Sequence, residues 1–120
     1  MTINELVEKV HETAKSKGWY DRERSPLEAH MLMVSEISEA TEEARQDCPP
    51  IYAKKDGEVV ALEKAPNSSL KPEGEAVELA DAVIRIADYF GHRGWDLETV
   101  LQLKMKYNEG RPFRHGGKKY

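Results

Sequence analysis

The chain has 120 residues, a third of them charged and 39% hydrophobic, with a net charge of −4. That length supports one domain with a modest core, and so polar a composition favours a partner subunit that completes it. The acidic balance argues against a general nucleic-acid binder, which carries a basic face.

Cys48 is the one cysteine, so no internal disulfide can form and a reducing compartment fits best. The opening "MTINELVEKVHE" is amphipathic and acidic, unlike a secretory signal. No apolar run reaches the length that crosses a bilayer. The expectation is a soluble, cytoplasmic protein, one domain over residues 1–120, with no membrane or nucleic-acid partner.

Thr2 and Glu5 fit a capping box, and Ile3, Leu6, Val7, Val10 and Ala14 recur at helical spacing. A first helix is therefore predicted over residues 2–17, ended by Gly18. After the link "GWYDRER", Ser25 caps a second helix, with Pro26 at its first position and Glu28 completing another capping box. It runs to about Arg45, where "DCPP" stops it.

Residues 48–72 differ in character. "DG" between "IYAKK" and "EVVALE" signals a short β-hairpin, and "APNSSLKP" reads as a loop, so the stretch is an insertion between helices. A third helix begins near Pro72 or Glu73 and reaches Phe90, where Gly91 and Gly94 break it. Its "AVELADAVIRIADYF" is apolar over most of its circumference, which predicts the central helix.

Trp95, in the following link, is expected to dock onto the core. Asp96 caps a fourth helix through Leu97, Val100, Leu101 and Leu103 to about Asn108, and Gly110 and Pro112 stop it. The basic, glycine-containing tail, residues 112–120, has no periodicity and should be mobile without a ligand. The fold class is all-α: a four-helix, bundle-like domain with an inserted loop or short β-hairpin between helices 2 and 3.

Chemistry concentrates in two carboxylate pairs. Glu36 and Glu39 lie three apart on the second helix, and Glu78 and Asp81 three apart on the third. Such spacing sets both members on one face, about 5–6 Å between Cβ atoms. If the faces meet, four carboxylates converge and resist ionising together unless cations join them. Mg²⁺, a hard ion taking oxygen ligands and phosphates, is the natural candidate.

Glu42 and Glu43 read as surface charges only. Arg85 could pair with Asp81, four residues earlier, or reach a substrate, and the spacing leaves both open. Lys104, Asn108 and Arg111 share a face of the fourth helix, where two cations and an amide suit phosphate oxygens. On composition alone, a helix end whose cations favour its dipole explains them better.

Together, "SEISE", "GEAVELADAVIRI" and "KMKYNEGRP" resemble the MazG-like, all-α nucleoside triphosphate pyrophosphohydrolase superfamily. The resemblance spans the chain from the "GWYDR" link to the "RPFRHGGK" tail. It implies Mg²⁺-dependent (or Mn²⁺-dependent) cleavage of a (deoxy)nucleoside triphosphate between its α and β phosphates, giving the monophosphate and pyrophosphate. By position it makes Glu36, Glu39, Glu78 and Asp81 metal ligands, with Glu39 the carboxylate that orients or deprotonates water.

The same resemblance makes Lys104, Asn108 and Arg111 phosphate contacts and Trp19 a base contact, and it implies a homodimer or homotetramer. One departure is the long separation of the two pairs by residues 48–72. Other readings are a phosphoribosyl-ATP pyrophosphohydrolase of the same superfamily and a non-catalytic helical module with solvated acids. A di-iron bundle takes two Glu-x-x-His pairs, whereas only Glu8 and His11 have that spacing. His30, Cys48, His92 and His115 form no ligand spacing, and no phosphate-binding glycine loop is present.

Overall fold

A computed structural model describes residues 1–62 and 70–119. Helix α1 spans Ile3–Ser16, α2 Pro26–Arg45, α3 Glu75–Arg93 and α4 Leu97–Glu109, with strands β1 (Tyr52–Lys55) and β2 (Glu58–Ala61) between α2 and α3. The N-caps form where the sequence placed them, but the second capping box does not close, because Arg22 and Arg24 take the Glu28 carboxylate. Thr2 and Glu5 bond reciprocally, Ser25 accepts from the Glu28 amide, and Asp96 accepts from the Thr99 amide. The loop read at residues 65–72 falls largely outside the described residues.

The β1–β2 hairpin is antiparallel, pairing Tyr52 with Ala61 and Lys55 with Glu58. Asp56 and Gly57 turn it with φ of 54° and 81°, the positive pair that a two-residue turn matched to strand twist requires. The hairpin is fastened to both neighbouring helices. Tyr52 and the Glu73 backbone exchange hydrogen bonds at 2.9 and 2.7 Å, and the Tyr52 hydroxyl donates to Glu43 Oε2 at 2.8 Å.

Glu43 is thus an anchor rather than only a surface charge. Gly74, at φ 119°, lets the Pro50 carbonyl come within 2.3 Å of where a Cβ would stand. The insertion therefore ties α2 to α3 about one helical turn from Glu39 and Glu78.

α3 packs against both α2 and α1, as its apolar sequence implied. It does not break at Gly91. The helix continues to Arg93 and ends on Gly94 in the left-handed region. Gly91 serves close approach instead: a Cβ there would lie 2.7 Å from the Cβ of His11 on α1. Gly91→Ala is expected to destabilise the domain by about 1–3 kcal/mol through that clash, which outweighs the helix-propensity gain. Urea unfolding at fixed protein concentration measures it, and equal stability would contradict the tight α1–α3 contact.

The core is thin. Val7, Ala40, Tyr52, Ala53, Ala82, Ala87 and Tyr89 are buried, yet among the described residues no large side chain is completely enclosed. Trp95 meets the edges of Tyr89 and Phe90 at 5.7 and 5.6 Å between centroids while staying half-exposed. α4 buries none of its residues and is joined to α1 by Asn4, whose side chain bonds Asp96 and the Glu98 amide. The tail, read as irregular, forms one short helical segment, α5 (Arg114–Gly117).

Candidate functional site

Side-by-side packing of α2 and α3 decides where the carboxylates go. Glu36, Glu78 and Asp81 each offer an oxygen within 4.8 Å of the others. Glu39 shares a hydrogen bond with Glu78 at the edge of this group. Glu36 is the one buried charged residue among the described residues, at 8% exposure.

The electrostatics follow from that crowding. Glu78 is pushed up to about 7, first by burial, then by the hydrogen bond with Glu39 and by the neighbouring charges of Glu39, Asp81 and Glu36. The Glu78 carboxyl therefore keeps its proton to a higher pH than a free glutamate does, and a cation at the cluster can replace that proton. Asp81 is raised too, first by burial and then by Glu36, with Arg85 opposing the rise.

Arg85 itself does not choose Asp81 as its ion-pair partner. Its Nε donates to Glu36 Oε1 at 2.7 Å, crossing from α3 to α2. Asp81, four residues back on the same helix, competes for the guanidinium with the more deeply buried carboxylate of Glu36 on α2.

Beside the cluster opens a cavity of about 320 Å³, lined by Glu36, Asp81 and Arg85 together with Trp19, Tyr20 and Arg24. Val10 and Ala14 of α1, Leu32 and Met33 of α2, and Ile84 of α3 supply apolar wall. An apolar cleft of this size with a few convergent polar groups fits a small ligand.

Trp19 stands half-exposed at the wall, with the Arg24 and Arg85 guanidinium carbons 5.2 and 5.8 Å from its ring. Among the bonds that hold the link are Trp19 N to Ala14 O, Arg24 Nε to Trp19 O, and Tyr20 Oη to Asp88 Oδ2.

Asp88 was missed in the sequence, although 81, 85 and 88 continue the polar seam of α3 at helical spacing. It accepts from Tyr20 at 2.7 Å and pairs with His11 Nδ1 at 2.9 Å. His11 is therefore engaged with α3. The Tyr20 hydroxyl is held well above its ordinary range by burial, then by Asp88. Arg24 was also missed; it lies over Trp19 and pairs with Glu28 at 3.0 Å.

Lys104, Asn108 and Arg111 stand apart from the carboxylates within one chain. Lys104 and Arg111 both lie over the Tyr107 ring, at 5.0 and 5.5 Å. Helix α4 packs mainly on α1 and adds no residue to the cavity. Glu42 pairs loosely with Arg45 at 3.8 Å on the surface. No described helix is long and apolar enough to cross a membrane. Among known proteins, no protein-family model, no curated protein and no solved structure matches the chain.

Proposed function

We propose that this protein is a Mg²⁺-dependent nucleoside triphosphate pyrophosphohydrolase of the MazG-like type, releasing a monophosphate and pyrophosphate. The observation that carries the reading is the convergence of Glu36, Glu78 and Asp81 beside a cavity walled by Trp19. The donors are carboxylate oxygens alone, with no imidazole or thiolate, which suits a hard cation such as Mg²⁺ or Mn²⁺ over zinc or copper. Glu78, pushed up to about 7, carries a proton that such a cation would displace.

Glu36, Glu78 and Asp81 would hold the metal, whose charge would offset that of the phosphate oxygens and acidify a nearby water. Glu39, at the open edge of the cluster, orients that water and accepts its proton. Trp19 offers a ring face to the base, and the cavity's apolar wall excludes solvent from it. Lys104 and Asn108 on α4, and Arg111 just beyond its end, reach phosphates from a second copy, since α4 of the same chain packs on α1. The functional unit is accordingly a homodimer or homotetramer.

Incubation with Mg²⁺ and a panel of canonical and modified (d)NTPs, with phosphoribosyl-ATP alongside, tests the reading by ion-exchange separation of products. The expected result is monophosphate plus pyrophosphate from at least one (d)NTP. Turnover of phosphoribosyl-ATP alone would move the substrate within the superfamily. Diphosphate plus orthophosphate would overturn the cleavage position. No turnover together with no metal binding would leave a helical module with a solvated acidic face.

A further inference from the structure

We infer that Arg85 serves the site in two states, as the internal counter-ion of Glu36 when no cation is bound and as a contact for the phosphate chain once the carboxylates hold a metal. The inference rests on the metal and triphosphate reading above, and it concerns how the two ligands depend on each other.

An ionised carboxylate buried as deeply as Glu36 needs a charged partner. Arg85 supplies it, at 2.7 Å, from a side chain that is itself 31% exposed. The same guanidinium lies 5.8 Å from the Trp19 ring centroid and lines the cavity together with Glu36, Asp81 and Trp19. It therefore occupies the junction between the carboxylate cluster and the cavity. A ligand with an aromatic end at Trp19 and an anionic end at the cluster must pass it.

A divalent cation drawn to Glu36, Glu78 and Asp81 arrives beside this guanidinium, and two cations on one carboxylate repel. Metal binding alone therefore works against the Glu36–Arg85 pair. A polyphosphate would resolve the conflict, because its oxygens would accept from the planar fork of N–H donors on Arg85 and would also suit a hard cation. Metal and triphosphate then bind with positive coupling, each strengthening the other by the same factor. Arg24, the other guanidinium on Trp19, has no such double role, since Glu28 and the Trp19 carbonyl hold it away from the cluster.

Calorimetric titrations of wild type and Arg85→Met with Mg²⁺ alone, and with inorganic triphosphate in saturating Mg²⁺, test this without turnover. Arg85→Met is expected to bind Mg²⁺ alone about tenfold tighter and triphosphate about tenfold more weakly, a coupling in the usual range. Unchanged or weaker Mg²⁺ affinity in the variant overturns the inference. Absence of Mg²⁺ binding in both proteins instead overturns the metal reading on which it stands.

Arg85→Met also removes the partner of a buried charge, so a second measurement uses the wild type alone. The Arg85 Nε–H resonance, assigned by its loss in Arg85→Lys, is expected to shift when Mg²⁺ and triphosphate are both present. A resonance unmoved at saturation overturns the inference whatever the variant does.

Discussion

Asp81→Asn is expected to lower turnover by about 10³-fold, the loss of several kcal/mol of metal-borne transition-state stabilisation, while making the metal-free domain more stable. The two effects have one cause. Asp81 is raised by burial and by Glu36, so its charged form is unfavourable in the folded chain without a cation, and a neutral amide relieves that. Glu39→Ala should likewise abolish turnover with helical content nearly intact. Steady-state assays beside thermal melts in chelator read both consequences, and full activity in either variant would sink the site assignment.

The same crowding gives a pH dependence with a definite sign. Glu78 titrates near 7 in the folded chain against 4.5 for a free glutamate, so between those values the folded chain holds the extra proton. Its contribution to stability is fully present below about 4.5 and is lost as pH rises through about 7. Mg²⁺ needs the deprotonated cluster, so it should raise the melting midpoint more at about pH 8 than at about pH 5.5. Equal shifts at both would mean that the ion does not compete with the Glu78 proton.

Val34→Glu is expected to dissociate the proposed dimer or tetramer, weakening self-association by about 10³-fold or more, because a carboxylate would be desolvated if this apolar face is the interface. Val34 is 53% exposed in the single chain and belongs to a stripe on α2 with Leu27, Met31 and Ile37, themselves 47–74% exposed. On α3, Leu79, Val83 and Ile86 make a parallel stripe, and Ile37 and Leu79 line one groove between the helices.

An apolar surface continuous over two helices is unusual on a monomer, and it lies on the pair of helices that carries the carboxylates. α4 adds half-exposed or exposed Val100, Leu101, Leu103 and Met105. Analytical ultracentrifugation should find the wild type at two or four chain masses and Val34→Glu at one. A monomeric wild type would remove the second copy from the proposal, and Lys104, Asn108 and Arg111 from the site. Since position 34 is solvent-exposed within one chain, the substitution leaves the fold of each chain intact.

Much of this protein was determined locally, and those parts were legible in the sequence. Thr2, Ser25 and Asp96 cap helices because their side-chain oxygens satisfy amides three residues ahead, whatever surrounds them. Asp56-Gly57 turns a hairpin because the pair tolerates positive φ. Three-residue spacing sets Glu36 with Glu39, and Glu78 with Asp81, on single helix faces before any packing occurs.

What depended on helices meeting was not legible. Gly91 looked like a helix end, and only the approach of His11 explains a glycine inside α3. Arg85 had an apparent partner in Asp81, but packing brought the buried Glu36 opposite it, and burial strengthens the claim of that charge. Glu43 gained Tyr52 when the hairpin folded back on α2, and Asp88 gained Tyr20 and His11 through contacts between distant parts of the chain. Sequence spacing determines which side chains share a face; tertiary packing alone decides which faces meet, because water is excluded only where they do.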